Sequence, residues 1–166
     1  MQRCFMTSGV VEVAFEEGVH VIRLSGDVRL NLCSTLERYV DEFLAQGHFH
    51  NVMIDLAAAE GIDSTTLGQL AKISILCRDR FDITPTISSP NSGITRILLS
   101  MGFDQVFHIV DSEIEDDGRF ERWAADAVDE ECAREQVIEA HKVLMSLNHK
   151  NEETFRELVD TLEAGR

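Results

Sequence analysis

The sequence predicts an α/β protein with a mainly parallel sheet of about five strands, followed by an acidic helical extension. Over the first 110 residues, short apolar segments alternate with segments of helical spacing in the order β-β-α-β-α-β-α-β, which is typical of a parallel sheet with right-handed crossovers. Residues 111–166 carry 17 acidic and 7 basic side chains, against 13 and 8 before them. We therefore expect a domain at residues 1–112 and an extension at residues 113–166.

Each element follows from its apolar spacing. Val11, Val13 and Phe15 alternate as in a strand, and the turn at residues 16–18 completes a hairpin. Apolar residues at helical spacing predict the helices, and Gly47 is a typical helix stop. The full prediction is strands at 11–15, 19–24, 52–56, 83–88 and 106–110, a loop at 57–63, and helices at 32–46, 64–80, 91–101, 117–128 and 130–147, with a last apolar stripe at 155–162 that makes a helical hairpin.

Composition narrows the class of protein. The formal net charge of −15 opposes nucleic-acid binding, which needs clustered lysine and arginine. No apolar run is long enough for a signal peptide or a membrane span, so we expect a cytoplasmic protein with no membrane insertion. The cysteines at positions 4, 33, 77 and 132 form no C-x-x-C pair, which favours free thiols over disulfides or a zinc site.

The most informative segment is the one in which a buried strand and a loop lead into Asp63 and Ser64, at the start of a predicted helix. Both residue types commonly cap helices, so one interpretation is a cap and nothing more. A hydroxyl at this position also lies near unpaired backbone N–H groups and the positive end of the helix dipole, where a phosphate is tolerated. Ser64 is therefore a candidate modification site as well as a candidate cap.

This segment resembles the STAS domains of bacterial anti-sigma factor antagonists, in which a strand and a loop lead to Asp-Ser-Ser/Thr-Gly/Ala-Leu-Gly at a helix start. The matching run is Asp63-Ser64-Thr65-Thr66-Leu67-Gly68, with Thr66 where the family has glycine or alanine. Leu24-Ser25-Gly26-Asp27 is similar to the end of the family's second strand, and residues 89–98 and 102–107 are similar to its penultimate helix and last strand. The resemblance extends over residues 9–112.

The resemblance implies a bacterial regulator that acts by partner switching and is not an enzyme. Ser64 would be phosphorylated by an anti-sigma factor with serine kinase activity and dephosphorylated by a serine phosphatase, and Asp63 would position it. The unphosphorylated form would sequester the anti-sigma factor, and no cofactor or metal is implied. The expected partner-binding residues are Asp63, Ser64, Thr65, Thr66 and Leu67 of the motif, with Gly26 and Asp27 of the neighbouring loop. Phosphorylation of Thr65 or Thr66 and dimerisation through the C-terminal helices stay open.

Other functions find less support. Asp55 at a strand end resembles the aspartate of a receiver domain, but there is no acidic pair after the preceding strand and no lysine between Lys72 and Lys142, which favours a structural Asp55. Hydrolase and phosphate-loop motifs are absent, and no histidine can be assigned to Ser64 as a base. His48 and His50 lack a third metal ligand. A constitutive scaffold subunit, with Ser64 only a cap, and a small-ligand sensor remain as alternatives.

Overall fold

The structure is a computed structural model that describes residues 7–115 and 118–165. Cys4 and the first residue of the helix predicted at 117–128 lie outside the described residues. The strands are β1 (Val10–Glu16), β2 (Val19–Val28), β3 (Asn51–Asp55), β4 (Ala59–Ile62), β5 (Thr86–Ser88), β6 (His108–Val110) and β7 (Glu121–Trp123). The helices are α1 (Cys33–Gln46), α2 (Ser64–Phe81), α3 (Ser92–Ser100), α4 (Glu130–Leu147) and α5 (His149–Ala164).

The sheet is mainly parallel, as predicted. Its strand order is β6-β5-β3-β2-β1-β7, with β4 paired to β2 off this path. The pairs of β3 with β2 and β5, of β5 with β6, and of β2 with β4 are parallel, whereas β1 pairs antiparallel with β2 and β7. Helices α1, α2 and α3 are the crossovers between the parallel strands, which brings the carboxyl ends of those strands to one edge.

The long strand β2 pairs with two parallel neighbours. Its first half pairs with β3 and its second half with β4, with an irregularity between Gly26 and Asp27. Gly26 has φ of 75°, and a Cβ there would lie 2.6 Å from the carbonyl oxygen of Ser8, so only glycine fits without strain. This bend carries the end of β2 towards the start of α2.

Two strands of the sheet, β4 and β7, were not predicted from the sequence. Residues 57–63 were expected to be a loop, yet residues 59–62 form β4 beside the second half of β2, so the described sheet has seven strands instead of about five. The helix expected at 117–128 is also wrong in its described part, because Glu121–Trp123 pairs with β1. The Trp123 ring packs edge-on against Tyr39 at 5.0 Å, and these tertiary contacts hold the segment extended.

The C-terminal extension is a helical hairpin that packs on the domain. Asn148 separates α4 from α5, and its side chain caps α5 by accepting a hydrogen bond from the backbone N–H of Asn151 at 2.8 Å. Leu144 and Phe155 join the same hydrophobic cluster as the sheet and the other helices. The division predicted at residue 112 stays a prediction, and β7 beyond it belongs to the sheet.

Candidate functional site

Helix α2 begins with a cap supplied by Asp63. One carboxylate oxygen of Asp63 accepts hydrogen bonds from the backbone N–H of Thr66 at 2.8 Å and from its hydroxyl at 2.7 Å. The other oxygen accepts from the backbone N–H of Leu30 at 2.8 Å. Asp63 thus satisfies an unpaired donor of the helix and also ties the helix start to the segment after β2.

The hydroxyl of Ser64 takes a different partner. Ser64 is the first residue of α2 and is half-buried, and its Oγ lies 2.8 Å from Nε2 of His141 on α4. Nδ1 of His141 lies 2.6 Å from the carbonyl oxygen of Val137 and must donate to it, since a carbonyl only accepts. In the neutral ring Nε2 therefore carries the lone pair, and the Ser64 hydroxyl donates to it.

The remaining motif side chains point into the protein. Thr65, Thr66 and Leu67 are 6%, 0% and 1% exposed. The Thr66 hydroxyl also lies 3.9 Å from Sγ of Cys33, and burial raises the pKa of that thiol to about 12. The larger side chain of Thr66, where the family has glycine or alanine, is accommodated because its hydroxyl donates to Asp63.

Gly26 and Asp27, predicted as a loop, belong to the second half of β2 and lie next to the motif. The backbone N–H of Asp63 donates to the carbonyl of Val28 at 3.1 Å, which joins the end of β2 to the residue before α2. The Asp27 carboxylate accepts from Nε of the exposed Arg29 at 2.7 Å, whereas Gly26 is buried. The structure therefore gathers the two predicted segments at one end of the domain, and their contact with a partner stays a prediction.

Helix α4 crosses α2 directly beyond Ser64. A Cβ added to Gly68 would lie 2.6 Å from the carbonyl carbon and 2.7 Å from the Cα of Ala140, so the two helices touch through their backbones. Nζ of Lys72, one turn further, lies 2.7 Å from the Glu139 carboxylate and 3.3 Å from that of Glu37. Burial works against the charge of Lys72, but the two carboxylates outweigh it and raise the pKa of its ammonium group.

Sequence reasoning did not place His141 in this site. His141 lies in the helix predicted at 130–147, and its side chain is only 2% exposed. The sequence alone could assign no histidine to Ser64, and the structure brings His141 to 2.8 Å from it across 77 positions of the chain. The pair is not a hydrolase triad, because the group that orients the ring is the Val137 carbonyl and not a carboxylate.

The other sequence candidates have local partners. Asp55 is 2% exposed and forms a 2.9 Å ion pair with Arg23, while its second oxygen accepts from the backbone N–H of Ala57 at 3.0 Å. Nε2 of His50 lies 2.7 Å from the carbonyl oxygen of Glu17. Over residues 7–115 and 118–165, no group of three or more His, Cys, Asp or Glu side chains could hold a metal ion. None of the helices described is long and apolar enough to cross a membrane.

An open cavity of about 870 Å³ lies at the carboxyl ends of β5 and β6. The N-terminal half of α3 forms one wall, and the half-exposed side chain of Leu99 forms part of the rim. Ser89 in its wall is already hydrogen bonded to Thr95 at 2.8 Å. This is the place where the small-ligand alternative would be tested.

Comparison with known proteins agrees with this architecture. The STAS domain family model matches residues 10–115, which is more than half of the chain. No curated protein sequence matches significantly. Among solved structures, a putative anti-sigma factor antagonist from Thermotoga maritima, TM1081, is 22% identical, with a TM-score of 0.52 over 60% of this chain and 85% of that one.

Two structures of the anti-sigma factor antagonist SpoIIAA from Bacillus show the same likeness. The phosphorylated form is 12% identical, with a TM-score of 0.51 over 60% of this chain and 90% of that one. The unphosphorylated form is 13% identical, with a TM-score of 0.52 over 63% of this chain and 89% of that one. At these identities the likeness concerns the fold. Together with the family match and the Asp63-Ser64 motif at the start of α2, it leads to one conclusion: the chain belongs to the STAS domain family.

Proposed function

We propose that this protein is an anti-sigma factor antagonist that works by phosphorylation-controlled partner switching in the bacterial cytoplasm. The unphosphorylated form sequesters an anti-sigma factor, a serine kinase modifies Ser64, and a serine phosphatase restores it. The partner contacts lie at the motif and at the end of β2, where Asp63, Ser64 and Asp27 are partly exposed and the buried Thr65, Thr66, Leu67 and Gly26 support them. The solved relatives support the proposal, since they include an antagonist in phosphorylated and unphosphorylated forms.

One observation carries the proposal, namely that the Ser64 hydroxyl takes no part in capping α2. Asp63 supplies the cap, and Ser64 is the next residue, half-buried at the end of the domain. A phosphate on Ser64 therefore leaves the cap intact and lies near the positive end of the helix dipole. Modification can alter a binding surface without unfolding the domain.

The covalent step is an ordinary phosphoryl transfer. Oγ of Ser64 forms a bond to the γ-phosphorus of ATP while the bond from that phosphorus to the β–γ bridging oxygen breaks, ADP leaves, and the hydroxyl proton passes to a base of the kinase. In the reverse direction, water adds to the phosphorus of phosphoserine, and serine and inorganic phosphate are released. Both steps use the kinase and the phosphatase as catalysts, and this chain is the substrate.

The phosphate acts on the partner through charge. It adds about −1.5 to −2 charges near pH 7, next to the Asp63 carboxylate and in a chain of net charge −15. A partner that presents carboxylates to this surface is then repelled, and the phosphate loses hydration at the interface. The phosphorylated form is expected to release such a partner.

The test is an affinity pull-down from native cell extract with wild type, Ser64→Ala and Ser64→Asp as baits, scored by mass spectrometry for retained proteins and for phosphate on Ser64. Ser92→Asp is the matched control, because Ser92 is also the first residue of a helix, behind the Asn91 cap of α3. We expect wild type, Ser64→Ala and Ser92→Asp to retain an anti-sigma factor that Ser64→Asp loses, with phosphate found on wild-type Ser64.

Identical partners for all four baits, with no phosphate on Ser64, would contradict the proposal. That result would favour a constitutive scaffold subunit in which Ser64 serves the structure alone. A ligand-dependent rise in thermal stability, lost when Leu99 in the cavity beside α3 is replaced by Asp, would instead favour the small-ligand sensor.

A further inference from the structure

One face of α2 is covered by the α4–α5 hairpin. Ser64, Gly68 and Lys72 are spaced four residues apart and form one stripe along α2, which we call the Ser64 stripe. His141 contacts Ser64, and the backbone of Ala140 contacts Gly68. The side chain that is proposed as a switch is thus in contact with α4, the first helix of the chain's own C-terminal hairpin.

We propose that the Ser64 stripe is the surface that binds the partner, and that the α4–α5 hairpin is a displaceable cover that competes for it with the partner and with the kinase. The inference rests on the proposed function, since it assigns the stripe to that same partner. In the closed form Ser64 is hydrogen bonded to His141. In the open form Ser64 is exposed to the partner and to the kinase.

The hairpin lies outside the residues that the family model matches. The family model ends at residue 115, well before α4 begins at Glu130. The aligned 60% of this chain corresponds to 85% of TM1081 and 90% of phosphorylated SpoIIAA, so the fold is nearly complete in the aligned part. The hairpin is therefore an addition to the matched domain, and Leu144 and Phe155 pack it on the core of that domain.

The contact of α4 with α1, beside the Ser64 stripe, contains an unsatisfied polar atom. Nε2 of Gln136 on α4 donates to Oγ of Ser34 at 2.5 Å, but its buried Oε1 has no hydrogen-bond partner among the described residues. A buried acceptor without a partner destabilises the state that buries it, and water satisfies it once the helix lifts. The closed form is thus weakened at one point of its own contact.

A tether keeps the hairpin near the domain when it opens. The Thr35 hydroxyl donates to the carbonyl of Ala124 at 3.1 Å and accepts from the backbone N–H of Asp126 at 3.1 Å. Strand β7, just before these residues, pairs with β1. The cover can therefore leave the Ser64 stripe while its first residues stay attached, so it returns as an intramolecular competitor at high effective concentration.

Phosphorylation removes the hydrogen-bond donor of the closed contact. The Ser64 hydroxyl proton that is donated to His141 is lost when Oγ bonds to phosphorus, and Oγ and Nε2 are only 2.8 Å apart, which leaves no room for a phosphoryl group between them. The Asp63 carboxylate at the preceding position adds repulsion. The phosphorylated form is then open, so its phosphate reaches the phosphatase while its charge repels the partner.

The cover also indicates what kind of partner fits. At Gly68 the partner must approach as closely as Ala140 does, so we expect a helix with a small residue at the crossing. At Lys72 it must replace the carboxylate of Glu139, so we expect an acidic side chain one turn away. An acidic helix of this kind is also the partner that a phosphate on Ser64 repels best.

The test is hydrogen–deuterium exchange of the full chain, measured peptide by peptide, with no partner present. Gly68→Ala adds a methyl group against the α4 backbone while favouring α2 as a helix, so it opens the cover without weakening the domain. Gly93→Ala is the control, since its Cβ meets only the Asn91 side chain, at 3.3 Å. The fourth sample carries phosphoserine at position 64, incorporated during translation.

We expect α4 and α5 to exchange at least about tenfold faster in the Gly68→Ala and phosphoserine proteins, with β2 and β3 as slow as in wild type and with Gly93→Ala unchanged. Wild-type exchange in α4 for both altered proteins would overturn the proposal, as would exchange that rises equally in β2 and β3, because the hairpin would then unfold only with the domain. An open cover in Gly68→Ala but a closed one in the phosphoserine protein would overturn the control of the cover by Ser64.

Failure of this inference is distinguishable from failure of the proposed function. Exchange needs neither partner nor kinase, so it reports on the cover even if no anti-sigma factor is found. Where the pull-down does yield one, Glu139→Lys, which repels Lys72 from the α4 side and leaves the Ser64 stripe unaltered, should retain several times more of it than wild type or Gly93→Ala. Equal retention, with the switch at Ser64 intact, would overturn the competition and leave partner switching in place.

Discussion

Replacing Asp63 by Ala should lower the free energy of unfolding by about 2–4 kcal/mol. The loss of stability has two parts, because the two carboxylate oxygens accept hydrogen bonds from different residues. One caps α2 through Thr66, and removal of such a cap costs about 1 kcal/mol. The other holds the backbone N–H of Leu30, and an amide left without its partner in this part-buried position costs about 1–3 kcal/mol.

Two variants separate these parts. Asp63→Ser keeps a short oxygen that caps α2 but cannot also reach Leu30, so it should lose only the second part, about 1–3 kcal/mol. Asn91→Ala is the control, because the Asn91 side chain caps α3 through a bond to the backbone N–H of Gly93 and makes no second hydrogen bond among the described residues. This variant should cost about 1 kcal/mol.

The assay is urea unfolding followed by the fluorescence of the single tryptophan, Trp123, and by circular dichroism. Agreement of the two probes justifies a two-state free energy. If Asp63→Ala costs no more than Asn91→Ala, the tie to Leu30 contributes nothing and the reasoning is refuted. If Asp63→Ser is as destabilised as Asp63→Ala, the cap contributes nothing.

Two further predictions concern buried polar side chains outside the motif. Burial lowers the pKa of His20 from 6.5 to about 4, so the unfolded chain takes up a proton before the folded chain does, and stability should fall as the pH drops from 6.5 towards 4. Urea unfolding near neutral pH and near pH 5 should show a loss about 2 kcal/mol larger in wild type than in His20→Asn, and equal losses would contradict the assignment. Asn151→Ala should cost about 2–3 kcal/mol, because its amide donates at 2.9 Å to the carbonyls of both Met101 and Leu144. Faster hydrogen exchange of α5 should accompany that loss, and an unchanged α5 would argue against the role of Asn151.

Most strands and helices of the domain could be predicted because each shows the apolar spacing typical of its own type of element. The alternation in β1 and β2, the apolar run of β3 and the helical spacing in α1 and α2 appear in the structure within a few residues of their predicted bounds. Strand β4 could not be read this way, since Ala59–Ile62 has no apolar alternation and is a strand only because β2 bends alongside it. The helix expected at 117–128 was wrong for a similar reason, because the contacts of Trp123 with Tyr39 and Arg38 favour an extended segment.

The motif was predictable as a sequence, but its surroundings were not. Asp63, Ser64 and the end of β2 can be recognised from a short run of residues. The contact between Ser64 and His141 joins two elements that are far apart in the chain, and no spacing rule links them. The only local signal was a histidine inside an apolar helical stripe, which more often marks a buried side chain than a site.

One interpretation of the motif was that Asp63 or Ser64 only caps a helix. In the structure the two residues have different roles. The cap is Asp63, whose carboxylate accepts from Thr66 and Leu30. Ser64 would be needed as a cap only if Asp63 were absent, so the chain could carry alanine at position 64 and still begin α2. The serine instead places its hydroxyl against His141, in a helix outside the matched STAS residues. A cap would not require that contact, whereas a switch that reports its phosphorylation state to the C-terminal hairpin would.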